Sequence, residues 1–254
     1  MFVLTRLSAI EHEDILTIGW GGISQNDEYL TPLTYSNYFI SLQNQWNQPL
    51  TKDSVFSHTG ILRFEGQRMF SPTRTNMMYG LSCLGQWGAD YNFSGLIQIK
   101  GLNITLGPAL IAQLTVREHA SNVNKPLSMD IMLHSSLHAG ISYAFAAKRT
   151  SYRVNYDMNI NLIGMMFVPE YGESYYEISE GIMRGTVHFA SLHNCIRFRQ
   201  LLSFDMQFKR SAWRIGVEYF YGRQSANQLH FQTEQISLVV GTIFFTEAKI
   251  RRFR

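Results

Sequence analysis

The chain has 254 residues, 45 % hydrophobic, 13 % aromatic and 16 % charged, and its formal net charge of +3 comes from scattered basic residues that exclude a nucleic-acid-binding surface. Mean hydropathy is -0.11, and no stretch approaches the roughly 18 consecutive apolar residues of a transmembrane helix. A packed soluble core and a barrel that turns alternate residues to lipid both fit these values, so strand patterning decides.

Residues 1–10 hold one Arg and a few apolar side chains, without the apolar core and small-residue cleavage site of a secretory signal. That counts against an exported protein. Residues 15–23, 33–46, 56–67 and 76–91 read as the first strands, with Gly19, Gly21 and Gly22 as kinks or bulges. At 102–107, Leu102, Ile104 and Leu106 alternate with Asn103, Thr105 and Gly107. From 130 to 145, Ile131, Leu133, Leu137, Ile141, Tyr143 and Phe145 share one parity; Asp130, His134, Ser136, His138 and Ser142 share the other. After a turn near 147–150, Val154, Tyr156, Met158, Ile160 and Leu162 alternate with Asn155, Asp157, Asn159 and Asn161. Successive strand side chains point to opposite faces, so one face of this segment is apolar and the other polar. The same alternation runs through 202–208 and 213–221, and a last strand is expected at 235–245.

The pattern predicts an all-β fold: a single antiparallel up-and-down transmembrane β-barrel covering residues 1–254, with about 10 to 12 strands. Trp20, Tyr35, Tyr38, Trp46, Trp87, Tyr91, Tyr152, Trp213 and Tyr221 fall near strand ends, where an interfacial girdle needs amphipathic rings. Cys83 and Cys195 stand far apart in no metal-binding spacing, so two thiols or a long-range disulfide both remain open.

Residues 164–178 read GMMFVPEYGESYYEI. Gly164, an apolar pair, Phe167, Pro169, Tyr171-Gly172 and Ser174 to Glu177 resemble the most recognisable motif of a Bacteroidota outer-membrane family, domain of unknown function 3316. Val168 and Glu173 depart from the family's commoner residues. Residues 29–35 (YLTPLTY), 87–93 (WGADYNF) and 122–126 (NVNKP) are similar to the same family, so the resemblance spans nearly the whole chain. It implies an outer-membrane barrel whose signal is removed or missed, and it carries over no catalytic residue. Taken by themselves, Glu170, Tyr171, Gly172, Glu173, Tyr175, Tyr176 and Glu177 read as a hairpin connection with Tyr-carboxylate hydrogen bonds, or as a ligand or partner surface.

The best enzymatic candidate is Ser136 with His134 or His138, and Asp157 one strand along. A serine hydrolase needs a hydroxyl within reach of an imidazole and an acid to orient that imidazole. Parity puts these residues inside the barrel, away from acyl chains. The remaining inward charges, Arg63, Glu65, Lys100, Asp157, Arg197, Arg199, Asp205, Arg214 and Glu218, are balanced in sign and predict a lumenal salt-bridge network or a narrow wet channel. No metal or cofactor is expected. The expected partners are the lipid bilayer, lipopolysaccharide and other envelope proteins. Three functions stay open: a non-enzymatic structural, accessory or narrow-channel barrel; a lipid or lipopolysaccharide hydrolase; and a soluble barrel or sandwich that binds a small ligand.

Overall fold

The computed structural model describes residues 11–51, 55–96, 99–119, 121, 126–147, 150–169, 185–208 and 211–247. The strands are β1 (Glu11–Asp27), β2 (Thr31–Pro49), β3 (Phe56–Phe70), β4 (Met77–Asn92), β5 (Leu102–His119), β6 (Leu127–Ala147), β7 (Thr150–Phe167), β8 (Val187–Ser191), β9 (Cys195–Gln207), β10 (Ala212–Ala226) and β11 (Leu229–Glu247). Among the described residues the only helical element is a short 3-10 turn, Phe93–Gly95.

Each strand pairs antiparallel with its neighbour, β6 pairs β7, and β1 pairs β11 from Glu11↔Glu247 to Asp27↔Phe231. The sheet therefore closes, and among the described strands only β8 lacks a partner on one edge. Strands β8 and β9 occupy one place in the wall. Strand β9 pairs β7 over its first half, and β8 pairs the same β7 further on, from Ile163↔Ser191 to Phe167↔Val187. The barrel thus has ten strand positions, one of them interrupted by a turn at 192–194. Where β7 faces this interruption, its register against β6 also shifts between Ser135 and Ser136. Leu162 and Ile163 then both point outward, and the alternation read through Asn161 ends there.

Parity sorts the side chains as expected. Leu16, Ile18, Trp20, Leu42, Phe64, Leu81, Leu133, Leu202 and Leu238 face out, while Gln43, Glu65, Gln86, His134, Asn159, Ser203 and Ser237 are buried inside. This is the reverse of a soluble domain, which buries its apolar face. Rings also gather on the outer wall. Tyr143, Phe145, Tyr152 and Phe204 stack in sequence across β6, β7 and β9, with centroids 6.1, 5.5 and 5.6 Å apart.

Two expectations are corrected. Tyr35 is no girdle residue: it is 1 % exposed, points inward with Phe39, and its hydroxyl lies 2.6 Å from His119 Nε2. Gly19, Gly21 and Gly22 sit in regular register with β2 and β11 and form no bulge. A Cβ on Gly21 would stand 1.9 Å from the Ile236 carbonyl oxygen, so close approach of two strands is what Gly21 permits. Lys100 precedes β5 in a connection and lines the mouth of the lumen, as its inward reading expected. Cys83 and Cys195 are free thiols, which settles the choice left open above.

Candidate functional site

The inward parity of ten strand positions brings most of the polar chemistry into the lumen, which is built in layers. At the rim where Glu11 pairs Glu247 (the terminal rim), a vestibule of about 730 Å³ is lined by Glu13, Lys100, Asn103, Ser142, Arg153 and Asp205, among others. Arg153 spans it, donating to Glu13 at 2.7 and 3.0 Å and to Asp205 at 3.0 Å. Asp205 also accepts from Arg214 Nε and Nη2, at 2.7 and 2.9 Å, and from Asn155 at 2.9 Å.

Deeper lies a cavity of about 90 Å³ whose wall includes Thr59, Asp90, His138, Asp157 and Arg214. His138 Nδ1 is 2.8 Å from Asp90 Oδ1, its Nε2 is 3.7 Å from Asp157 Oδ1, and Thr59 donates to Asp90 Oδ2 at 2.5 Å. Beyond it, around Ile61, Gln86, Asn159, Arg199 and Leu201, the free space falls to about 10 Å³. That is no more than one water needs, so side chains crowd the lumen at this layer.

The central layer holds a cavity of about 60 Å³ ringed by guanidinium and carboxylate groups. Arg63 donates to Glu218 and, at 2.9 Å, to Glu65; Arg199 donates to Glu218 at 2.9 Å and to Gln43 at 2.8 Å. Glu65 accepts further from Gln67 and Gln235, at 2.7 and 2.6 Å. Among the described residues Arg197 meets no carboxylate; it reaches Gln113 and Met132 and lies 5.1 Å over the Phe220 ring. Above this layer Arg117 joins Asp27 at 3.3 Å and Asp130, with Ser128 donating to Asp27 at 3.0 Å. The far rim is filled by two apolar clusters, Ile23, Tyr29, Leu30, Tyr35, Phe39, Met69 and Met78, and Met132, Met166, Val168, Ala190 and Cys195.

Among the residues singled out from sequence, the structure places Arg63, Glu65, Arg199 and Glu218 in one network, and Asp205 with Arg214 in another. Asp157 stands with His138. Sequence reasoning missed Glu13, Asp27, Asp90, Arg117 and Arg153 as lumenal charges. They sit towards strand ends, and only extending each strand's parity to its last residue finds them. The hydrolase set is not assembled. Ser136 is 1 % exposed and donates to the Ala109 carbonyl at 3.4 Å, and among the described residues neither His134 nor His138 bonds it. Glu170, Tyr171, Gly172, Glu173, Tyr175, Tyr176 and Glu177 lie outside the described residues.

Residues 8–250 match the model of a family described as "Protein of unknown function (DUF3316)". No curated protein matches the chain. Among solved structures, it is similar to the outer membrane protease OmpT from Escherichia coli, with 7 % identity over 93 % of this chain and 96 % of that one, at a TM-score of 0.48. It is also similar to the translocator domain of the autotransporter NalP from Neisseria meningitidis, with 7 % identity, 90 % and 87 % coverage and a TM-score of 0.38. A Pseudomonas aeruginosa FadL homologue shows 8 % identity, 93 % and 90 % coverage and a TM-score of 0.34.

Proposed function

The chain belongs to the DUF3316 family, whose description assigns no activity, and from that premise we propose that it is a bacterial outer-membrane barrel with a non-enzymatic structural or accessory role. The observation that carries this reading is the inversion of the wall, with large apolar side chains outside and ion pairs inside. Leu81 at 73 % exposure and Trp20 at 61 % would cost solubility in water, whereas lipid solvates them. The bilayer, with lipopolysaccharide in its outer leaflet, is the partner that such a surface fits.

The pinch at Ile61 and Leu201 and the apolar far rim favour a plug over a pore. Short turns face the periplasm in most such barrels and longer loops face outward. By that rule the far rim faces outward and the terminal rim opens to the periplasm. Two experiments test the reading together. Purified protein in detergent should migrate on gels in a heat-modifiable way, and planar bilayers containing it should show no stepwise conductance. Steady ohmic steps would overturn the plug, and a detergent-free, folded, soluble monomer would overturn the membrane barrel.

A further inference from the structure

Arg68 stands on the outer wall without an anion. It is exposed on β3, close to the end of that strand at the far rim. Among the described residues no carboxylate pairs with it; Nη2 reaches Met77 Sδ at 3.8 Å, and the guanidinium lies 5.1 Å over the Phe70 ring. A thioether and a ring face leave the positive charge in place. Arg74, exposed in the turn between β3 and β4, adds a second cation at the same rim. The carboxylate in the same row of the wall, Glu118, lies beyond Tyr79, about 10 Å away by strand spacing, and no ion pair joins it to Arg68. The two cations therefore outnumber it.

The depth of Arg68 follows from the register. Tyr38, Arg68 and Tyr79 form one row across β2, β3 and β4, and Trp46, Gly60 and Trp87 form another nearer the terminal rim. The rows lie eight residues apart along β3, which for tilted strands is about 20 Å of height. Rings at both levels mark the two membrane interfaces, so Arg68 stands at headgroup depth with a tyrosine beside it on each neighbouring strand. The next outward position toward the bilayer centre is Gly66, between Ile40 and Leu81, which are 52 % and 73 % exposed. A Cβ at Gly66 would meet nothing within 4 Å, so the wall carries a notch next to the guanidinium.

We propose that this row is a lipid-binding site: Arg68, flanked by Tyr38 and Tyr79, takes a phosphate of lipid A, and the notch at Gly66 takes the start of an acyl chain. The inference rests on the outer-membrane reading, which turns the far rim toward the leaflet built of lipopolysaccharide. A guanidinium offers two parallel N–H donors to a phosphate, and phenol hydroxyls add donors beside them. The test adds lipid A, phosphatidylglycerol or phosphatidylcholine to the folded protein in detergent and counts bound copies by native mass spectrometry. One copy of lipid A should bind saturably, and more tightly than either phospholipid. Arg68→Gln should weaken that binding about tenfold or more, the worth of a hydrogen bond to a charged group. Gly66→Leu, which fills the notch, should weaken it about fourfold, the worth of one buried methylene. Arg223→Gln is the control. Arg223 is also exposed on the outer wall, but between Gln232 and Ile196, so the same loss of charge there should leave the affinity unchanged. Heat-modifiable migration of each variant shows that it folds. Undiminished affinity in Arg68→Gln, or an equal loss in Arg223→Gln, would overturn the site, and equal affinity for phosphatidylglycerol would overturn lipid A as its occupant. Those results in a heat-modifiable barrel leave the outer-membrane reading standing, whereas a folded, detergent-free monomer would overturn both.

Discussion

Glu218 shows how single residues hold this lumen. It is 3 % exposed and accepts from both Arg63 and Arg199, so its loss leaves Arg63 with Glu65 alone and takes from Arg199 its carboxylate partner among the described residues. Glu218→Gln should destabilise the folded barrel by about 3 kcal/mol, the lower end of the range for breaking a buried pair, because Gln retains some hydrogen bonding. Glu234→Gln is the matched control. Glu234 is exposed on the outer wall, where it accepts from Tyr219, and its change should stay within about 0.5 kcal/mol. Urea unfolding of both variants in micelles measures the difference, and equal midpoints would contradict the network's importance. The glycines make a second residue-scale test. Gly21→Ala forces a Cβ to 1.9 Å from the Ile236 carbonyl oxygen and should cost about 1–3 kcal/mol. Gly66 has open space at that position, so Gly66→Ala should be neutral or stabilise by about 0.5–1 kcal/mol.

At the scale of elements, alternation made most strands legible before any coordinates. Strand β7 read correctly from Val154 to Asn161 because its apolar and polar parities are cleanly separated. What stayed hidden has physical causes. Tyr35 lies where residues 33–40 mix polar and apolar types at both parities, so its ring suggested a girdle and its inward direction was not legible. The turn at 192–194 interrupts one wall position, and a local alternation carries no information about which partner a strand loses. The acid-base pairs across the lumen join residues as distant as Arg63 and Glu218, a proximity that only closure creates. The outer parity itself makes a prediction. Leu137 faces out near the middle of β6, and Leu127 starts the same strand at the far rim. In a bilayer, Leu137→Lys should cost about 2–4 kcal/mol and Leu127→Lys about 0–1 kcal/mol. Urea titration in lipid vesicles checks the contrast, and equal effects would mean that the wall does not face lipid.

The whole molecule is a wall that is apolar outside and ionic inside, its lumen crowded by its own side chains. Closure gives every described strand except β8 a partner on both edges, and the buried pairs let charged residues occupy a crowded lumen. Apolar clusters then cap the far rim, while the terminal rim keeps an open vestibule. The four tryptophans report most directly on whether this wall meets lipid. Trp20, Trp87 and Trp213 are exposed on the outer face, and Trp46 lies over the outward Gly60. In vesicles built from acyl-chain-brominated lipids, tryptophan fluorescence should be strongly quenched relative to vesicles of ordinary lipids. Emission unchanged by the brominated chains would contradict a transmembrane barrel.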